Sequence, residues 1–267
     1  MKIFLSALEN GNQCYQKGQN GKCKELAYYL KEQNVKFKYN LMSYYYIGKG
    51  KYDLACFIRD NSEEILIDSG AHSFQKGKKV DWVKYTEEYA DFIKKFDNEK
   101  VVGYFEMDVD NIIGYEKVLE LRKILEKTSN KIIPVWHKNR GIEEYKKMCK
   151  DYEGKVIAIT GFKNEDIKDE QYLMFLKYAK KYNCKVHCLG MTRKKVLDKV
   201  PFDYVDSSSW KQGGIYGRID GMGKVTKEFS KVKREIVFMK NYEAGLKMQE
   251  HYYQKWRKVC KDWMDSS

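Results

Sequence analysis

The side chains in this sequence that could act as acids, bases or nucleophiles stand where runs of apolar residues stop. Asp68 ends "EILID", and Glu106, Asp108 and Asp110 follow "VVGYF". His137 ends "KIIPVWH", His187 lies within "KVHCLGM", and Asp206 ends "DYVD". If these runs are neighbouring strands, several carboxylates converge on one rim. Two carboxylates on opposite sides of a sugar can carry out displacement at its anomeric carbon. One attacks and the other handles protons, at about 5–5.5 Å separation in retaining glycosidases. That chemistry needs neither a metal nor a cofactor. Other readings stay open for single residues. Asp68 alone could be a helix cap, and His187, inside an apolar run, could be a satisfied core histidine. His137, His187, Asp68 and Asp206 could together surround zinc, as in barrel hydrolases. Against zinc, no HxH pair follows the first run and no lysine ends the fourth.

The elements that must position these residues alternate along the chain. Short apolar runs occur at 2–8, 41–47, 64–71, 101–110, 131–137, 155–161, 185–191 and 203–210. Between them lie amphipathic stretches such as "WVKYTEEYADFIKKF", "YEKVLELRKILEK" and "DEQYLMFLKYAKKY". Their apolar residues recur every three or four positions, the spacing of a helix that covers a sheet. Strand–helix alternation predicts an α/β fold with a parallel sheet. A strand count near eight predicts a closed (β/α)8 TIM-type barrel rather than an open doubly wound sheet, with its chemistry at the carboxyl ends of the strands. Residues 1–224 are expected to form the barrel domain. Residues 225–267, basic, aromatic and helical in spacing, are expected to form a C-terminal helical extension packed on it, or an arm facing nucleic acid.

Charge narrows the partner. Lys and Arg number 51 against 38 Asp and Glu, a formal net charge of +13. Either the composition is simply lysine-rich, or the surface meets a polyanion, because counterion release drives basic surfaces onto phosphate backbones. The glycine-rich "KQGGIYGRIDGMGK" after the last run offers Lys211, Arg218 and Lys224 where barrels often hold phosphate; it could equally be an ordinary connection. Seven cysteines, none in a CxxC pair, fit reduced thiols without a disulfide framework or zinc knuckle. No apolar run is long enough to cross a bilayer, and "MKIFLSALENGNQC" reads as a first strand rather than a signal peptide. The expectation is a soluble cytoplasmic protein of a bacterium or of a phage-infected host cell.

The same residues carry a family likeness. "LIDSGAHSFQ" resembles the "DSGG(Y/F)Q" motif of tRNA-guanine transglycosylases, and "FEMDVD" is placed like the segment whose Asp reads the guanine edge. "VWH", "AITG" and "HCLGM" resemble the base-pocket strands that follow, and "FDYVDSSSW" resembles the strand with the nucleophilic Asp. The likeness runs from about residue 60 to about 220, in order. The tRNA enzymes add a Cys-rich zinc site after the nucleophile strand, whereas only Cys260 and His251 lie beyond residue 210 here. Their "LPTRxxRxG"-like continuation is replaced by "SSSWKQGGIYGRIDG". On both counts the sequence looks more like the shorter phage and bacterial branch that exchanges guanine in DNA for a 7-deazaguanine base, tRNA being the alternative substrate.

The resemblance implies roles. Asp206 would be the nucleophile and Asp68 the general acid/base. Asp108, with Asp110 as runner-up, would accept hydrogen bonds from the purine N1 and 2-amino donors. His137, Gly161 and Leu189 would line the pocket, with Ser69, Gly70 and Gly190 beside the base, and His72 or Phe74 would stack on it. No cofactor and no resident metal are implied.

Overall fold

The computed structural model describes residues 1–10, 25–74, 80–161, 167–216, 218–219, 223–224 and 234–265. The side chains of 72, 218–219, 223–224 and 261–265 lie outside that description, so of the residues singled out above nothing is said about the His72, Arg218 and Lys224 side chains.

The apolar runs form one parallel sheet of β1 (Lys2–Ser6), β2 (Tyr39–Ser43), β3 (Glu64–Asp68), β4 (Val101–Phe105), β5 (Ile132–Ile133), β6 (Val135–Trp136), β7 (Val156–Thr160), β8 (Lys185–Leu189) and β9 (Tyr204–Ser207). The spatial order is β5-β4-β3-β2-β1-β9-β8-β7-β6. The two edges, β5 and β6, are halves of a single strand parted at Pro134. Ile132 and Ile133 pair with β4, while Val135 and Trp136 pair with β7. Proline has no N–H to give to a ladder, but its carbonyl accepts from Ala158 at 2.8 Å. The sheet therefore curls through eight strand positions into a TIM-type α/β barrel.

The strands are shorter than the apolar runs. "LMSYYYI" was expected to be extended throughout, yet the chain leaves the sheet at Ser43 and Tyr44–Ile47 form a short helix, α2. Tyr44 there packs, rings tilted, among Tyr85, Tyr89 and Phe92 of the next layer. Apolar character marks burial, and a buried helical turn satisfies it as well as a strand does.

Helices wrap the outside: α1 (Leu26–Glu32), α3 (Tyr52–Asn61), α4 (Trp82–Phe96), α5 (Asp110–Ile113), α6 (Tyr115–Glu126), α7 (Gly141–Asp151), α8 (Tyr172–Lys180), α9 (Lys194–Leu197), α10 (Ser209–Ile215) and α11 (Arg234–Asp265). α4 shows why they form. The Asp81 side chain accepts the Lys84 N–H at the start, and Lys94 and Lys95 sit in the last turn, where the helix dipole favours cations. Tyr85, Tyr89, Phe92, Ile93 and Phe96 recur on one face and are buried against the barrel. α11 lies on the outer side of β1 and β2. Its Gln249 amide donates to the carbonyls of Ile3 and Tyr39 at 2.7 and 2.9 Å, and its Tyr242 hydroxyl donates to Asn40 at 2.9 Å. No described helix is long and apolar enough to cross a membrane.

Candidate active site

Strand geometry decides which side chains meet. Alternate residues face opposite sides of a strand, so those two positions beyond an inward core residue also point inward, one layer higher. Phe4, Leu41, Leu66 and Tyr204 fill the barrel interior. The residues two further along are Ser6, Ser43, Asp68 and Asp206, and they line the mouth at the carboxyl ends of the strands. Phe4 is in register with Asp206, and Ser43 with Asp68.

Asp206 is held from one side. Its Oδ1 accepts the Gly190 N–H at 2.8 Å and lies 2.9 Å from His187 Nε2. Among the described residues its Oδ2 receives only the Ser6 hydroxyl, at 3.3 Å. Gly190 can present its amide because it turns with φ +62°, a conformation open to glycine. His187 is fully buried among Phe4, Phe105 and Tyr204. With Oδ1 as its acceptor, it anchors the carboxylate from the barrel floor. Its Nδ1 is buried with no partner among the described residues.

Asp68 sits across the mouth. Its Oδ2 accepts the Gly70 N–H at 3.0 Å and the Ser43 hydroxyl at 3.4 Å. Burial pushes its pKa up to about 6; the charges of Asp108 and Asp206 add to the rise, and the Gly70 and Ser43 hydrogen bonds oppose it. Gly70 has φ +72°, and a Cβ there would come within 2.6 Å of the Tyr45 nitrogen, so this turn requires glycine. Ser69 is buried beneath it, its carbonyl accepting the Tyr85 hydroxyl at 2.8 Å. Phe74 is half-buried in an aromatic wall with Tyr45, Trp82 and Tyr85.

The three acids of "FEMDVD" separate in role. Asp110 is sealed, with Arg140 Nε at 3.0 Å and the Asn139 amide at 3.1 Å. Burial raises its pKa, and Arg140 and Asn139 more than offset that, leaving it below the usual value. Asp108 keeps an edge toward the mouth and meets His137 Nε2 at 2.6 Å. Burial lowers the His137 pKa, and the Asp108 carboxylate outweighs it, so the imidazole binds its proton more tightly than usual. Glu106 is fully buried, bound to Arg122, to Arg140 at 3.1 Å and to the Val135 N–H at 2.8 Å. Gly161 donates to the Leu189 carbonyl at 2.8 Å, and a Cβ on it would come within 2.7 Å of that oxygen. Leu189 is half-buried at the rim.

Arg140 and Glu9 were not singled out from the sequence. Arg140 lies three residues after His137, in "HKNRG", and a buried guanidinium is what a cluster of strand-end acids needs. Arg140→Met is expected to destabilise the fold by about 3–5 kcal/mol, because it strands the buried Asp110 carboxylate and takes one of two guanidinium partners from Glu106; urea denaturation measures this, and adding Asp110→Asn should recover part of the loss. Glu9 lies three residues beyond the end of β1. It accepts the Ser43 N–H at 3.0 Å, its Oε2 has no partner among the described residues, and burial pushes its pKa up to about 7. The segment that carries Glu9 is strained at Ala7, with φ +73°. It is tied to α10 by Trp210, whose indole N–H donates to the Ser6 carbonyl at 2.9 Å. Lys211 holds the same segment: its ammonium donates to the carbonyls of Ala7, at 3.0 Å, and Asn10. Lys211, considered above for phosphate binding, is thus turned onto its own backbone.

Metal chemistry can be weighed from the donors. Asp108, Asp110 and His137 are the described group able to share one ion, with ligand atoms within 4.8 Å of one another. Arg140 already lies 3.0 Å from Asp110 and 3.8 Å from Asp108, and a second cation would meet that charge. The set His137, His187, Asp68 and Asp206 does not form such a group; its histidines are engaged separately, by Asp108 and Asp206. The mouth can therefore offer one oriented carboxylate, one carboxyl that gains and loses a proton near neutrality, and an Asp–His pair at its edge. Compared with protein-family models, with curated proteins and with solved structures, the chain matches none.

Proposed function

We propose that this protein is a transglycosylase that exchanges guanine in DNA for a 7-deazaguanine base through a glycosyl-aspartate intermediate. The observation that supports it most is the unequal treatment of the two Asp206 oxygens, opposite an Asp68 whose pKa burial raises to about 6. Oδ1 is saturated by Gly190 and His187, and Oδ2 carries one long hydrogen bond. Oδ2 is accordingly the atom free to attack C1′ of the target nucleotide. A C1′–Oδ2 bond forms as the C1′–N9 bond breaks, its electron pair leaving with guanine, which takes a proton from Asp68. The incoming base then gives a proton to Asp68, attacks C1′ and releases Asp206. The Asp68 carboxyl, with a pKa near 6, exchanges protons readily in both directions.

Asp108 would accept the N1 and 2-amino donors of guanine, since Asp110 is occupied by Arg140. Asp108→Asn is expected to cut the preference for guanine over hypoxanthine by about tenfold or more, since a pocket donor then faces the purine donors. Competition between the two labelled bases measures it. A base inside a duplex cannot reach a barrel mouth, so the nucleotide must be flipped out or unpaired. The test of the reading is incorporation of labelled guanine and of 7-deazaguanines into duplex DNA, single-stranded DNA and tRNA. Incorporation into DNA is the expected result; incorporation into tRNA alone would move the substrate to RNA, and incorporation into neither would end the proposal.

A further inference from the structure

At the opposite end of the barrel, the starts of β1, β8 and β9 and the last turns of α11 enclose a cavity of about 480 Å³. Lys2, Lys185 and Tyr204 line it from the strands, and Tyr253, Arg257 and Lys258 from α11. Tyr253 and Arg257 are four residues apart, so they rise from one face of the helix. Cations outnumber acids in its lining. Lys2 is paired with Glu64. Asp203, the one acidic lining residue, is already engaged by Lys180 at 2.6 Å and by the Val186 N–H at 2.7 Å. Lys185, Arg257 and Lys258 make no ion pair among the described residues. Packing of a helix end on a barrel gains nothing from three cations gathered round a hollow, whose mutual repulsion an anion would relieve.

Size and walls narrow the ligand. The volume falls in the range of small-molecule sites, about 300–1,000 Å³, large for a bare phosphate. Tyr204 and Tyr253 supply aromatic surface beside the cations, and planar rings favour such walls. We infer that this cavity is a second ligand site, separate from the carboxylate mouth, that binds a nucleoside phosphate with its phosphate on Lys185, Arg257 and Lys258 and its base against Tyr204 and Tyr253. The inference does not depend on the transglycosylase reading, because none of the residues given a role in base exchange lines this cavity; Tyr204 touches the other end only as packing for His187.

Isothermal titration of the whole chain with AMP, adenosine and inorganic phosphate tests it; an adenine ligand is chosen because guanine could also enter the carboxylate mouth. AMP should bind at least tenfold more tightly than either fragment. The double variant Lys185→Glu/Arg257→Glu, altering two solvent-facing cations, should weaken AMP binding tenfold or more while the circular dichroism spectrum stays unchanged. Tyr253→Ala should weaken AMP binding and leave phosphate binding as it was. Absence of AMP binding at millimolar concentration would overturn the inference, as would unchanged affinity in the double variant. Phosphate binding as tightly as AMP would make this a bare anion site and overturn the nucleotide assignment.

Discussion

Asp206→Asn is expected to abolish base exchange, by about four orders of magnitude or more, while leaving the fold intact. The variant separates geometry from chemistry. An asparagine carbonyl in place of Oδ1 still accepts from Gly190 and still faces His187, so the strand end keeps its shape. At the Oδ2 position stands an amide nitrogen, which cannot attack C1′, and single replacements of a nucleophile cost losses of this order. The measurement is a denaturing gel of enzyme incubated with DNA, on which the wild-type covalent adduct should be retained and the variant's should be missing. Labelled-base exchange at the wild-type rate in Asp206→Asn would remove Asp206 as the nucleophile.

Asp68→Asn is expected to make the protein slower and, at neutral pH, more stable. The carboxyl has a folded-state pKa near 6, above its value of about 3.9 in an unfolded chain. For an acid with a raised pKa, the favourable contribution is present in full below the unfolded value and is lost as pH rises through the folded one. Wild-type stability should therefore fall between about pH 4 and pH 6 on account of this group. A shift near two units corresponds to at most about 3 kcal/mol, reduced by whatever solvent reaches the open mouth. Asparagine removes the charge, so the variant should gain up to that amount at pH 7.5 and nothing at pH 4, as read from urea midpoints at the two pH values. Exchange should slow by about 10²–10⁴-fold, the usual worth of a general acid/base, and the pH–rate profile should lose its inflection near 6. An unchanged profile would show that Asp68 handles no proton in the rate-limiting step.

The two expectations describe one arrangement. Burying a carboxyl beside two others destabilises the charged form, and the same destabilisation lets it trade protons near neutrality. The Arg140 cluster solves the opposite problem. There, Glu106 and Asp110 are paired with a buried guanidinium, which leaves Asp108 as the acid of that segment with an edge to the mouth.

Much of this was legible in the chain itself. Strand–helix alternation and a count near eight specified the barrel, because a parallel sheet covered by helices on one side closes when enough βα units follow one another. The places of Asp68 and Asp206 at the ends of their apolar runs carried them to the mouth, since barrels of this kind present their chemistry at the carboxyl ends of the strands. Other features were decided by contacts between distant segments. Apolar spacing could not show that strand five breaks at Pro134, nor that Tyr44–Ile47 coil into a helix, because both satisfy burial equally well. It could not rank Asp108 against Asp110, because their difference lies in partners from the segment just after β6: Arg140 and Asn139 seal Asp110, and His137 meets Asp108. Nor could it distinguish His187 as an anchor for Asp206 from a core histidine; in the fold it is both, since its ring is buried and its Nε2 faces the carboxylate. Local order along the chain determines which residues reach a strand end. Which of them stays charged, stays open or is silenced depends on a partner brought from elsewhere, and only tertiary structure supplies that partner.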